Sequence, residues 1–219
     1  MRRVKHMLTL GLSTIVLSLS AQHDAKVEAL LKQMTLEEKV GQMAQVTVDI
    51  LMDNKTWKLN EEMLQQGIVN YKIGSVLNTW NNVAHSKEDW SALVKTLQEY
   101  TQKTKLKIPL VYGVDAIHGV TYTDKSTLFP QQIAQAATFN RSLVRQAAEI
   151  TAYETRAGSL PWTFSPVLDL GLDARWPRLW ETFGEDPYLA SELATQITRG
   201  YQGADPNNID KFHVMACAK

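Results

Sequence analysis

The sequence predicts an α/β fold, specifically the N-terminal portion of a TIM-barrel-like (β/α)8 domain that is incomplete within the chain. First, apolar strand-like runs alternate along the chain with segments of helical periodicity, the pattern of a parallel sheet or barrel. Second, later runs end in polar clusters: Ile108 to Asp115 followed by His118, Trp162 to Asp169 followed by Arg175 and Arg178, and Phe212 to Lys219. Polar chemistry at the C-terminal ends of strands is how such barrels build a site. Third, no Gly-rich phosphate loop follows any strand, which favours a barrel over a doubly wound nucleotide-binding sheet.

The elements follow in order. Asp24 to Met34 carries Val27, Leu30, Leu31 and Met34 at helical spacing, and predicts a helix. Thr35-Leu-Glu-Glu38 is a capping box that starts a second short helix through Val40 and Met43. Gln45 to Asn70 is less regular and predicts helix and loops. Ile73 to Leu77 reads as a short buried strand, followed by a polar loop from Asn78 to His85. Ser86 to Lys105 is the clearest amphipathic helix, with Trp90, Leu93, Val94, Leu97 and Tyr100 on one stripe. After the strand Ile108 to Gly113 come helices over Ile133 to Ala137 and Leu143 to Gly158. Trp162 to Leu170 is the next strand. Asp186-Pro187 starts a helix, with the acid at the N-cap and proline in the first turn, and it runs to about Tyr201. Asp205-Pro-Asn-Asn208 is a surface turn before the last predicted strand. There is no internal repeat and no low-complexity tract.

Length and composition narrow the possibilities. The chain has 219 residues, whereas a complete barrel of this type takes about 250. The polar cluster is still gaining members at Lys219, so the chain is expected to be part of a larger enzyme. Cutting a barrel after its fourth or fifth strand leaves an exposed sheet edge, which a free-standing protein avoids. Basic and acidic residues balance at 23 each and are scattered, so no charge pattern points to nucleic acid. The single Cys217 excludes an intrachain disulfide and a cysteine-based zinc site; it is expected to be a small buried hydrophobe. Arg2, Arg3, Lys5 and His6, the apolar run Met7 to Leu19, and small residues at Ser18, Ser20 and Ala21 have the layout of a secretory signal peptide over residues 1–21. The protein is expected to start near Ala21 or Gln22 and to work in a bacterial periplasm or outside the cell, with no membrane anchor after cleavage. Oligomeric state has no sequence signal.

Two regions could carry chemistry. Gly113-Val-Asp-Ala-Ile-His-Gly119 places Asp115 just past a strand between glycines, where a ligand can approach the backbone. An ionised carboxylate accepts strong hydrogen bonds from sugar hydroxyls; Asp115 could equally cap the next segment, and His118 could simply satisfy a buried loop. The second region, Asp169 to Pro187, packs two arginines, five acids and two tryptophans into one loop. Trp176 and Trp180 beside charged groups suit a sugar's apolar face and its hydroxyls. Most of these acids are expected to brace the loop through salt bridges.

Tyr112-Gly-Val-Asp-Ala-Ile-His-Gly119, Ser165-Pro-Val-Leu-Asp169, Arg175-Trp-Pro-Arg178, Glu181-Thr-Phe-Gly-Glu-Asp-Pro187 and Ala216-Cys-Ala-Lys219 together resemble glycoside hydrolase family 3, most of all its β-glucosidase-type members. The resemblance covers most of the chain from Thr35 onward. It implies a retaining exo-β-glucosidase acting on β-linked glucosides or oligosaccharides through a covalent glycosyl intermediate, with no metal and no organic cofactor. It implies that Asp115, Arg178 and Lys219 hold the non-reducing sugar, Lys219 as the lysine of a Lys-His pair; His118 and Trp176 remain further candidates on the reading of the residues above. It places the nucleophilic aspartate and the acid/base glutamate beyond Lys219, so no catalytic residue is assigned here. Pro177 stands where the family more often has glycine, which stiffens the loop around Arg178. The alternatives are a β-xylosidase or β-N-acetylhexosaminidase of the same family, or a non-catalytic carbohydrate-binding remnant.

Overall fold

The computed structural model describes residues 25–205 and 208–219. The expected signal peptide and the middle of the turn at Asp205 to Asn208 lie outside the described residues. Packing divides the chain into two units, residues 1–39 and 40–219.

The first unit holds helix α1 (Ala25–Leu31) and the start of α2 (Leu36–Met43). The expected capping box opens α2: the Thr35 hydroxyl accepts from the Glu38 N–H at 3.2 Å, and the Glu38 carboxylate accepts from the Thr35 N–H at 2.9 Å.

The second unit is a parallel sheet with helices between its strands. Strands β1 (Gln45–Thr47), β2 (Ser75–Leu77), β3 (Val111–Val114) and β4 (Trp162–Thr163) lie side by side in chain order, all parallel. Between them come α3 (Glu61–Leu64), which continues as a π-helical turn over Gln65–Asn70, then α4 (Lys87–Thr101), α5 (Gln132–Ala136) and α6 (Arg141–Ala157); α7 (Pro187–Gln202) follows β4. Among the described residues, no helix is long and apolar enough to cross a membrane.

Short polar side chains set most helix starts. Ser86, Asn140 and Asp186 each accept from backbone N–H groups in the first turn of α4, α6 and α7, satisfying donors that have no partner within the helix. The α4 stripe faces inward as its spacing predicts: Trp90, Leu93, Val94 and Leu97 are buried with Val76, Tyr112 and Val114 of the sheet. A second apolar cluster joins Val144, Ala148 and Ala152 of α6 to Leu193, Ile197 and Tyr201 of α7.

The structure corrects four sequence expectations. The stretch from Gln45, predicted as helix and loops, opens with β1; three residues are too few to show a strand's alternation. The strand predicted over Trp162 to Leu170 pairs with β3 only at Trp162 and Thr163, with one further bond from Phe164 N–H to Val114 O, because β3 has ended and Pro166 has no N–H to offer. The last predicted strand is a parallel bridge, Trp162 with Met215, extended by backbone bonds from Cys217 to Ser165 and from Lys219 to Pro166. Cys217 is partly exposed there rather than buried, since this segment is the outermost part of the sheet among the described residues.

Candidate functional site

The strand ends bring polar groups to one edge. Asp49 follows β1, Asn78 follows β2, Asp115 follows β3, Asp169 lies on the run leaving β4, and Lys219 ends the fifth segment.

Asp115 is held by its neighbour Ala116. The Ala116 N–H donates to the Thr163 hydroxyl at 3.2 Å, and the Ala116 carbonyl accepts from the Tyr201 hydroxyl at 2.9 Å. Tyr201 comes from α7 and also contacts the Ser165 hydroxyl at 3.0 Å. Its burial pushes the phenol's pKa up, so it remains a donor at ordinary pH. Gly113, two residues earlier, has no room for a side chain: a Cβ there would lie 2.4 Å from Phe164 Cζ. Phe164 stands edge-on to Trp162 with ring centroids 4.7 Å apart, and the pair packs beside the Asp115 strand.

Lys219 is positioned with equal care. Its N–H donates to Pro166 O at 3.0 Å and its carbonyl accepts from Leu168 N–H at 2.7 Å. The intervening Val167 is locked by both ends of the fully buried Gln132 amide, at 2.8 and 3.1 Å. From this frame the Lys219 ammonium reaches Asp115 Oδ1 at 2.5 Å.

Arg178 lies on the long loop after β4. A short 3-10 turn at Leu179–Glu181 brings the Glu181 carboxylate back onto its guanidinium, with contacts of 2.5 Å to Nη2 and 3.1 and 3.2 Å to Nε. Thr182 and Phe183 are buried and anchor this turn, and Gly184 takes φ 98°, a left-handed backbone that suits glycine. The Glu181 contact raises the Arg178 pKa first, and the negative charges of Asp115 and Asp169 add to it. Asp115 also adds to the burial that raises the Tyr122 phenol, and Asp49 does the same for Tyr112 beside β2.

Two candidates sit differently. His118 uses both ring nitrogens inside its loop: Nδ1 donates to Phe129 O at 2.8 Å and Nε2 accepts from the Gln131 amide at 3.0 Å. Those contacts support the loop-bracing alternative. Trp176 is half-buried, and its N–H donates to Asp173 O at 3.0 Å. Arg175 pairs with Asp173 at 2.6 Å on the outside of the loop, and Asp186 caps α7. The salt-bridge bracing expected of the loop acids is therefore present at Asp173 and Glu181.

Asp49 escaped sequence analysis because β1 did. Glu181 as the partner of Arg178 had a signal, its spacing of three residues across a turn. Among the described residues, no group of three or more His, Cys, Asp or Glu is arranged to hold a metal ion.

Comparison with known proteins agrees with this architecture. The chain is 38% identical over 195 residues to a lysosomal beta glucosidase of Dictyostelium discoideum, covering 85% of this chain and 24% of that protein. It is 32% identical over 197 residues to a periplasmic beta-glucosidase of Salmonella typhimurium, covering 90% of this chain and 23% of that one. Among solved structures, the beta-glucosidase from Listeria innocua in complex with glucose superposes with a TM-score of 0.71 at 36% identity, over 89% of this chain and 26% of that one. The chain thus spans about a quarter of the length of these relatives. The model of the glycosyl hydrolase family 3 N-terminal domain matches residues 35–219, and the chain belongs to that family.

Proposed function

We propose that these residues form the sugar-recognition part of a retaining exo-β-glucosidase that releases terminal β-linked glucose in the periplasm or outside the cell. The observation that carries this is the direct contact of Lys219 with Asp115 at the strand ends, with Arg178 on the loop after β4 near enough for the Asp115 charge to raise its pKa. A carboxylate accepts hydroxyl hydrogen bonds, while an ammonium and a guanidinium only donate. Together they can address neighbouring hydroxyls of one pyranose ring from both sides of the hydrogen bond. A hydroxyl inserted between Asp115 and Lys219 would accept from the ammonium and donate to the carboxylate. It would thereby replace the ion pair without leaving either charge unpaired. The glucose named with the Listeria innocua structure and the beta-glucosidase names of the other relatives support glucose as the sugar.

Retaining hydrolysis uses two carboxyl groups about 5–5.5 Å apart across the scissile bond. We assign neither role within this chain. Glu181 is committed to Arg178, and Asp115 to Lys219. The chain alone is therefore expected to bind saccharides and to hydrolyse none, with hydrolysis belonging to a protein that also supplies both carboxyls.

The test is a calorimetric titration of the chain with glucose, xylose and N-acetylglucosamine, repeated with Asp115→Asn. Loss in the variant of the glucose binding that depends on the strand-end residues supports the reading. Equal or tighter binding of xylose or N-acetylglucosamine overturns the glucosyl preference, and binding of none of the three overturns the sugar site.

A further inference from the structure

A second polar groove lies where the start of α4, the loop after β3 and the end of α6 meet. It encloses about 450 Å³ and shares no residue with the strand-end cluster. That volume falls in the range of small-molecule sites, roughly 300–1,000 Å³.

Its walls are fixed. The loops on either side are stitched together by His85 N–H to Tyr122 O at 3.0 Å and Asp124 N–H to His85 O at 2.8 Å. The Trp90 indole N–H adds a bond to Tyr122 O at 2.9 Å. Glu154 on α6 grips Thr127 through both its N–H and its hydroxyl, each at 2.8 Å. Ser126 donates to the carbonyls of Val120 and Thr123.

Within these walls several groups are unused. Among the described residues, the Asp124 carboxylate, the Lys125 ammonium and the Tyr153 hydroxyl enter no hydrogen bond or ion pair. Lys87 and Glu88 meet only at 3.9 Å and are largely exposed. Tyr153 is 59% exposed, and its ring is stacked on Phe212 at 6.1 Å, which steadies it against the surface. The groove thus presents carboxylates and ammonium groups side by side, next to a steadied aromatic ring.

This combination selects against simple ions. Asp124, Glu88 and Glu154 repel an anion, and Lys87 and Lys125 repel a cation. A neutral polyol suits it, because each hydroxyl can donate to a carboxylate and accept from an ammonium, while the C–H face of a pyranose lies on Tyr153. We infer that this groove is an additional carbohydrate-binding site, with Asp124, Lys125 and Tyr153 as its contacts. The choice of saccharide as ligand class rests on the function proposed above.

The test follows backbone amide signals of the labelled chain during titration with laminaribiose, in the parent and in Asp115→Asn, Asp124→Asn and Tyr153→Ala. The last two side chains are exposed or unpaired, so both variants keep the fold. The expected result is shifts at Thr123 to Ser126 and Tyr153 to Ala157 that persist in Asp115→Asn. Asp124→Asn should weaken them about tenfold, the loss of one charge-assisted hydrogen bond. Shifts confined to the strand-end residues would overturn the groove and leave the proposed function standing. Shifts in the groove alone would do the reverse, and their absence from both regions would overturn both.

Discussion

Lys219 and Asp115, 104 positions apart in the chain, meet at 2.5 Å across the end of the parallel sheet. The contact ties the outermost backbone segment to the loop after β3, and both side chains remain about a third exposed, at 32% and 27%. An ion pair with that much water access contributes at most about 1 kcal/mol to stability. On the function proposed above, its value would be to hold a donor and an acceptor ready for a ligand.

Asp115→Asn is therefore expected to change unfolding free energy by less than about 1 kcal/mol. Saccharide binding at the strand ends should fall by about tenfold or more, because the strongest acceptor becomes a neutral amide. Chemical denaturation and calorimetric titration of the same sample measure both. A large stability loss with unchanged binding would make the pair structural.

Arg178 makes a different prediction. Its planar fork is held by Glu181, which is only 14% exposed on its side chain while Arg178 is 46% exposed. In an active enzyme containing these residues, Arg178→Ala should reduce both substrate affinity and turnover. The expected fall in kcat/KM is roughly 10- to 100-fold, the effect of losing a hydrogen bond to a charged group at the reacting sugar. Arg178→Lys should not restore it, since an ammonium cannot reproduce the fork. Kinetics within about twofold of the parent would remove Arg178 from the site.

Alkaline pH should unfold this protein through its buried phenols. Burial raises the pKa of Tyr201 and of Tyr112 above the ordinary 10.0, with Asp49's charge adding to the effect on Tyr112. A raised folded-state pKa means stability that is complete below pH 10 and declines above it, as the unfolded chain releases protons that the folded chain keeps. Tyr201→Phe should flatten that decline. It should also cost about 1–3 kcal/mol at neutral pH, because Ala116 O loses the hydroxyl bonded to it. Unfolding free energies measured between pH 7 and 11 for parent and variant decide it.

The contact between α6 and α7 depends on Gly200. A Cβ there would lie 2.6 Å from Ala148 Cβ and 2.7 Å from Arg145 O, the latter rigid backbone. Alanine would gain roughly 1 kcal/mol of helix propensity, but separating two packed helices costs about 1–3 kcal/mol or more. Gly200→Ala is expected to be destabilising on balance, read from the denaturant midpoint. A stabilised variant would show that the helices shift apart freely.

Much of this architecture was legible from local chemistry. The α4 stripe, the Thr35–Glu38 box and the Asp186-Pro187 start depend on spacing and on caps only a few residues away, and all three stand as expected. Asp115 and Lys219 could be singled out as residues following apolar runs. Three things were not legible. β1 is too short to show a period, and the strand after Pro161 stops pairing with β3 because of Pro166 and the length of that neighbour. The bracing of His118 depends on Phe129 and Gln131, whose approach to the ring no periodicity announces.

The division follows the range of the forces involved. Helix starts, amphipathic faces and the polar character of strand ends come from interactions within a few residues, and the order of amino acids expresses them directly. The meeting of Lys219 with Asp115 requires the sheet to order its strands first, and the buried Gln132 and Tyr201 to lock the backbone on either side. Closing such long loops costs conformational entropy that no local segment can repay. The site's geometry therefore exists only once the whole sheet and its helices have packed.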